Sequence, residues 1–148
     1  YCVINTTYKN NNNKMGNNET TQIGFEVVQD FLQTKTTNTN TILVSTLSKT
    51  DQECMIQTTK SPEEEETIIN EMLEKTSNIT RIILYGKNAR DATLSKKANQ
   101  LKTLGLLSRI QLQVYNGGMF EWLLLQEIYG AELFPTTTKT MVDLLKYK

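Results

Sequence analysis

The sequence predicts an α/β fold: three layers, with helices on both faces of a central, mainly parallel sheet. Three observations predict it. Apolar runs of strand length recur at residues 42–47, 82–85 and 110–115. Each run is followed, after a polar interval, by apolar residues at helical spacing, so strand and helix alternate three times. The run at 82–85 is apolar at four successive positions, the pattern of a strand covered on both faces. Alternation of this kind calls for right-handed crossovers between parallel strands.

Taken in order, residues 5–22 hold few apolar positions, no period and four consecutive asparagines at 10–13, and they read as a loop or partly disordered segment. The folded domain is expected over residues 23–135. In "IGFEVVQDFLQ", Phe25, Val28, Phe31 and Leu32 share one helical face, which predicts a short covering helix. "TILVSTL" supplies the first strand. Residues 48–60 are ambiguous, with a short extended piece around Cys54 to Thr58. Ser61, Pro62 and Glu64 then spell a capping box with proline at the first helical position, and Ile68, Ile69, Met72 and Leu73 supply the helix's buried face. The glutamate run at 63–66 is explained by the same helix start, because acidic groups favour the positive end of the dipole. After the strand at 82–85, Leu94, Ala98, Leu101 and Leu104 form one side of a helix that Gly105 ends. Ile110, Leu112 and Val114 alternate with polar residues up to Tyr115, and a last helix starts near Met119 with Phe120, Leu123, Leu124 and Ile128. Pro135 ends regular structure. The tail, residues 136–148, has Met141, Leu144 and Leu145 at the spacing of a short terminal helix that docks on its own domain or on a partner.

At 148 residues the chain is one domain of ordinary size. Sixteen basic residues balance sixteen acidic ones, so no global field recruits nucleic acid or an anionic membrane. No segment is apolar for long enough to span a membrane. Two cysteines, Cys2 and Cys54, are too few for a disulfide scaffold and lack metal-ligand spacing. Together these features predict a soluble, cytoplasmic protein with no cofactor and no metal. The absence of histidine removes the commonest general base and every histidine-dependent triad.

In a parallel α/β sheet, ligands sit beyond the carboxyl ends of the strands. The loop Gly86, Lys87, Asn88, Ala89, Arg90, Asp91 occupies that position, between the strand at 82–85 and the amino end of the next helix. Free amides at such an end favour an anion or a thiolate. The loop is therefore the candidate anion-binding site, with the Lys87 and Arg90 side chains available to assist.

The stretch "LKTLGLLSRIQLQVYNGGMFEW", residues 101–122, resembles the second half of a rhodanese-like domain: Leu101, then Gly105, a strand, the pair Gly117 and Gly118, and Trp122 four residues later. With the order of elements before it, the resemblance covers residues 23–135. The segment "FEWLLLQEIYGAELFPTT" is similar to rhodanese-like proteins of large DNA viruses. The resemblance implies the three-layer α/β/α fold of sulfurtransferases. It also implies a loop cysteine that would carry a persulfide, followed after four residues by arginine. Counting forward from the strand end places that cysteine at Tyr85 or Gly86, whereas counting back from Leu101 and Gly105 gives Asn88 or Ala89. No cysteine occurs anywhere between Tyr85 and Arg109. Glycine, alanine, asparagine and an ordinary phenol cannot hold a persulfide.

The expectation is thus a catalytically inactive rhodanese-like domain that binds a small anion or a protein partner presenting one. Two alternatives stand beside it. One is an active sulfurtransferase or related phosphatase, using Cys54 or a cysteine lost from the loop, for which Ala89 would be the trace. The other is a structural or virion-associated scaffold. Cys54 is expected to be a buried, compact apolar residue, Gly117 and Gly118 to permit the strand-to-helix turn, and Trp122 to belong to the core.

Overall fold

The structure, a computed structural model, describes residues 20–34 and 39–148. In chain order its elements are β1 (Thr20–Ile23), α1 (Phe25–Gln33), β2 (Thr41–Ser45), a 3-10 turn (Lys49–Glu53), α2 (Pro62–Leu73), β3 (Arg81–Tyr85), α3 (Ala92–Thr103), a second 3-10 turn (Leu106–Ser108), β4 (Gln111–Tyr115), α4 (Gly118–Tyr129) and a terminal 3-10 turn (Leu144–Tyr147). The strands form one sheet in the order β1-β4-β3-β2, and every pairing is parallel. The fold is α/β with helices on both faces, as the sequence predicts.

The chain path explains which helix covers which face. From β2 to β3 to β4 the chain steps repeatedly toward the same edge, so right-handed crossovers put α2 and α3 on one face. The step from β1 to β2 runs the opposite way across the sheet, which sends α1 to the other face. Packing follows this division. Ile42, Val44, Ile82, Leu84, Leu112 and Val114 point toward Met72, Leu94 and Leu101. Leu43, Ile83, Tyr85 and Tyr115 point toward Val28, Phe31, Met119 and Trp122. The period-2 alternation along each strand thus splits one apolar run between two cores.

Several local expectations are met in atomic detail. Ser61 Oγ accepts from the Glu64 amide at 3.2 Å, and the Ser61 amide donates to Glu64 Oε1 at 2.9 Å, completing the capping box. Gly105 adopts φ +79° at the end of α3. Trp122 is fully buried, its ring edge-on to Tyr115 and Phe134, and its Nε1–H donates to the Pro135 carbonyl at 3.1 Å.

Elsewhere the structure differs from the pattern. A fourth strand, β1, begins at Thr20, inside the segment expected to be a loop, and pairs along the edge of β4. Its four residues, "TTQI", are mostly polar because an edge strand needs little apolar area, so the alternation signal was too short to register. The remainder of that segment, with Asn10 to Asn13 and Cys2, lies outside the described residues. Leu73 and Leu104 are exposed rather than packed, since each sits at the carboxyl end of its helix. In the tail, Met141 and Leu145 are exposed; the anchor is Tyr147, which is fully buried and donates to the Asp51 carbonyl at 2.9 Å. The tail therefore docks on its own domain. Among the described residues, no helix is long and apolar enough to cross a membrane.

Candidate functional site

Strand β3 delivers the loop to the carboxyl end of the sheet. Its last residue, Tyr85, is fully buried, with its hydroxyl 2.7 Å from Thr59 Oγ1 and accepting from the Ile56 amide at 3.1 Å. Burial drives the phenol well above its ordinary range. Tyr85 is thus a structural pin that ties β3 to the segment after β2, and its oxygen is no nucleophile.

Gly86 follows, also buried. A Cβ built there would lie 2.6 Å from Asp91 Oδ2 and 2.8 Å from Thr46 Oγ1. The space that a side chain would need at the strand end is taken by the Asp91 carboxylate. That carboxylate accepts from the Lys87 amide at 2.8 Å through Oδ2, and from the Thr93 amide at 2.9 Å and Thr93 Oγ1 at 2.6 Å through Oδ1. Asp91 is also the N-cap of α3, so it satisfies the helix start and the loop together. Burial, the largest single influence, pushes its pKa up, but the hydroxyl and amide donors and the Lys87 charge outweigh that in sum and hold the carboxyl below its usual range.

The other loop groups are engaged as well. The Arg90 amide donates to Asn88 Oδ1 at 2.9 Å and the Asp91 amide to the Asn88 carbonyl at 3.2 Å. Asn88 Nδ2 donates to the Tyr147 carbonyl at 2.9 Å, which brings the tail over the loop. On the far side, the carbonyls of Gly86 and Lys87 accept from the amides of Met119 and Phe120, each at 3.0 Å. These contacts satisfy two of the four free amides at the start of α4. They require close approach, and Gly118, at φ +67°, permits it. Outward from this braced core, Ala89 and Arg90 are exposed, and Lys87 Nζ lies 4.0 Å from Asp51.

The structure therefore brings all six predicted site residues into one loop, but with three of its amides already bonded to acceptors inside the loop. The sequence reading missed Asp91 as an internal acceptor. The signal was present: aspartate just before an apolar helical period, with threonine two residues later, is an N-cap pattern.

Cys54 is fully buried in the core that also contains Tyr85 and Tyr147. Burial raises the thiol above its ordinary range, against partial relief from Thr136 and Thr138. A thiol in that state is mostly protonated at neutral pH and shielded from a substrate. Tyr147 closes over it, with the hydroxyl 3.4 Å from the Cys54 carbonyl oxygen, and Lys146 fastens the turn to Glu53 at 2.6 Å. Among the described residues, no group of three His, Cys, Asp or Glu side chains is placed to hold a metal ion.

No family model matches the chain. No curated protein matches it either. Solved structures do. A protein of Bacillus halodurans superposes with a TM-score of 0.56 at 18% identity, covering 82% of each chain. A protein of Lactobacillus plantarum superposes with a TM-score of 0.52 at 10% identity, covering 71% of this chain and 83% of that one. At these identities the likeness concerns the fold alone.

Proposed function

We propose that the chain is a rhodanese-like domain without its nucleophile, serving as a binding module for a small anion or for a protein segment that presents one. The kinship with rhodanese-like domains, those of large DNA viruses included, enters this reading from the motif of Leu101, Gly105, Gly117, Gly118 and Trp122, to which the parallel sheet adds support. One observation carries the loss of chemistry: the residue after β3 is Gly86, and the Asp91 carboxylate stands where its side chain would project. A persulfide at that point would bring a second negative charge against a carboxylate that already holds the Lys87 amide. Neither Cys54, buried in the core, nor the Tyr85 phenol offers a substitute.

What remains for a ligand is the outer rim of the loop. Ala89 and Arg90 face solvent and the Lys87 ammonium is partly exposed, so two cations meet an incoming anion on a braced backbone. A rigid loop loses little entropy on binding, which suits recognition without turnover.

Thiosulfate exposure tests the reading. After incubation and desalting, the intact mass is expected to be unchanged, and cyanide added to the mixture yields no thiocyanate. In the same preparation, sulfate, phosphate or a phosphopeptide shifts the amide resonances of residues 88–90, on the outer rim of the loop. A mass gain of one sulfur atom with thiocyanate release overturns the proposal.

A further inference from the structure

Beside the loop, on the face covered by α2 and α3, lies a separate open groove of about 340 Å³. It begins at Thr46, directly after β2, and runs between the start of α2 and the first turns of α3. It therefore sits at the carboxyl end of the sheet, where parallel α/β folds bind ligands. Its lining contains Lys60, Lys96 and Lys97 against Glu65 as the one acid. The groove thus carries an excess of two positive charges in a protein whose formal net charge is zero.

The neighbouring carboxylates do not cancel that excess. Glu65 is paired with Lys97 across the groove. Glu64, which feels the charge of Lys60, has its Oε1 held by the Ser61 amide in the capping box. Asp91 is held by Lys87 and Thr93 inside the loop. Among the described residues, neither Lys60 nor Lys96 has a carboxylate within ion-pair distance. Hydroxyl groups complete the end nearest the loop. Thr93 Oγ1 lies 2.6 Å from Asp91 Oδ1 and 2.8 Å from Thr46 Oγ1. The Thr93 hydroxyl thus faces two acceptors, the Asp91 carboxylate and the Thr46 oxygen, which fixes its place beside the loop. Thr93 also lies in the first turn of α3, at the positive end of a twelve-residue helix.

We propose that this groove binds a tetrahedral oxyanion of the phosphate class, free or carried on a phosphorylated side chain, seated between Lys60 and Lys96. Two ammonium groups that form no ion pair among the described residues match a dianion, and the volume admits a phosphate with the side chain that carries it. The site is distinct from the loop rim and stands whether or not the rim binds anything.

The test is an amide NMR titration of the full chain with inorganic phosphate, with a phosphoserine peptide and with its unphosphorylated counterpart. The expected result is saturable shifts at Thr46, Lys60, Thr93 and Lys96 with phosphate, with the phosphopeptide, or with both, and none with the unphosphorylated peptide. Response to free phosphate identifies a soluble anion as sufficient; response to the phosphopeptide alone identifies a carried one. Lys60→Ala with Lys96→Ala weakens binding at least about tenfold, and Lys60→Arg with Lys96→Arg retains it. Both double variants keep the melting temperature, because the side chains are at the surface. Shifts confined to residues 88–90 would support the loop rim and overturn the groove, and the absence of any saturable shift would overturn it as well.

Discussion

Gly118→Ala destabilises the protein by about 2–5 kcal/mol and disorders the loop at 86–91, although the substitution adds a single methyl group. The reason is twofold. Gly118 sits at φ +67°, where a side chain costs about 1–2 kcal/mol. The added Cβ would also lie 2.6 Å from the Gly86 carbonyl oxygen, 2.9 Å from the Lys87 carbonyl carbon and 3.0 Å from the Asn88 amide nitrogen. All three are backbone atoms and cannot rotate away, so the start of α4 must retreat and release the bonds from Met119 and Phe120 to the loop carbonyls. Gly117→Ala is the contrast. Gly117 has φ −60°, and the atoms its Cβ would meet belong to the Glu121 side chain: the carboxyl end can swing aside once its bond from the Tyr115 hydroxyl is given up, which leaves one tight contact, with Glu121 Cβ at 2.9 Å. Urea unfolding of the two variants should therefore separate them by more than about 1 kcal/mol, with Gly118→Ala the weaker. Equal stabilities would mean that the close approach of α4 to the loop is not present in solution.

Trp122→Ala costs about 3–5 kcal/mol, on the scale of the protein's whole stability. The ring is fully buried in the α1 and α4 core, with its centroid 6.0 Å from that of Tyr115 and 4.9 Å from that of Phe134, both edge-on. Truncation leaves a cavity against both rings and removes the donor to the Pro135 carbonyl. Because Pro135 opens the tail, the loss should spread to Tyr147 and to the contacts that cover Cys54. Trp122→Phe, which keeps most of the apolar volume but not the N–H, should cost less, and thermal or urea unfolding measures both. If Trp122→Ala costs under about 1 kcal/mol, the ring is not the pin between α4 and the tail.

The parallel sheet and its two coverings were legible in the sequence because β2 and β3 each hold a run of successive apolar residues, β4 alternates apolar with polar, and the helices carry clear periods. The capping box at Ser61 was legible because side-chain chemistry and spacing coincide there. Edge strand β1 was not, because its polar tetrapeptide gains its order by pairing with β4 and not from its own pattern. In the tail, helical spacing pointed to Met141 and Leu145, yet only the tertiary fold could reveal that Tyr147 finds carbonyl acceptors at Asp51 and Cys54. The loop was located correctly from its place between strand and helix. Its interior was harder to read, since whether an amide is free depends on which side chain turns back toward it, and Asp91 does so toward Lys87.

That inward carboxylate is the centre of the account, and its own titration tests it most directly. Because the folded chain holds Asp91 below its ordinary range, the unfolded chain binds more protons between that depressed value and about 4. The stability it contributes is complete above the ordinary aspartate range and is lost as pH falls through the folded value. Following the Asp91 carboxyl carbon and the Lys87 amide by NMR during acidification should therefore show both moving together, at a pH below that of an unperturbed aspartate, with the Lys87 amide indifferent to added sulfate at neutral pH. An Asp91 that titrates as a free aspartate, with a Lys87 amide that responds to sulfate, would show an open cradle and contradict the account.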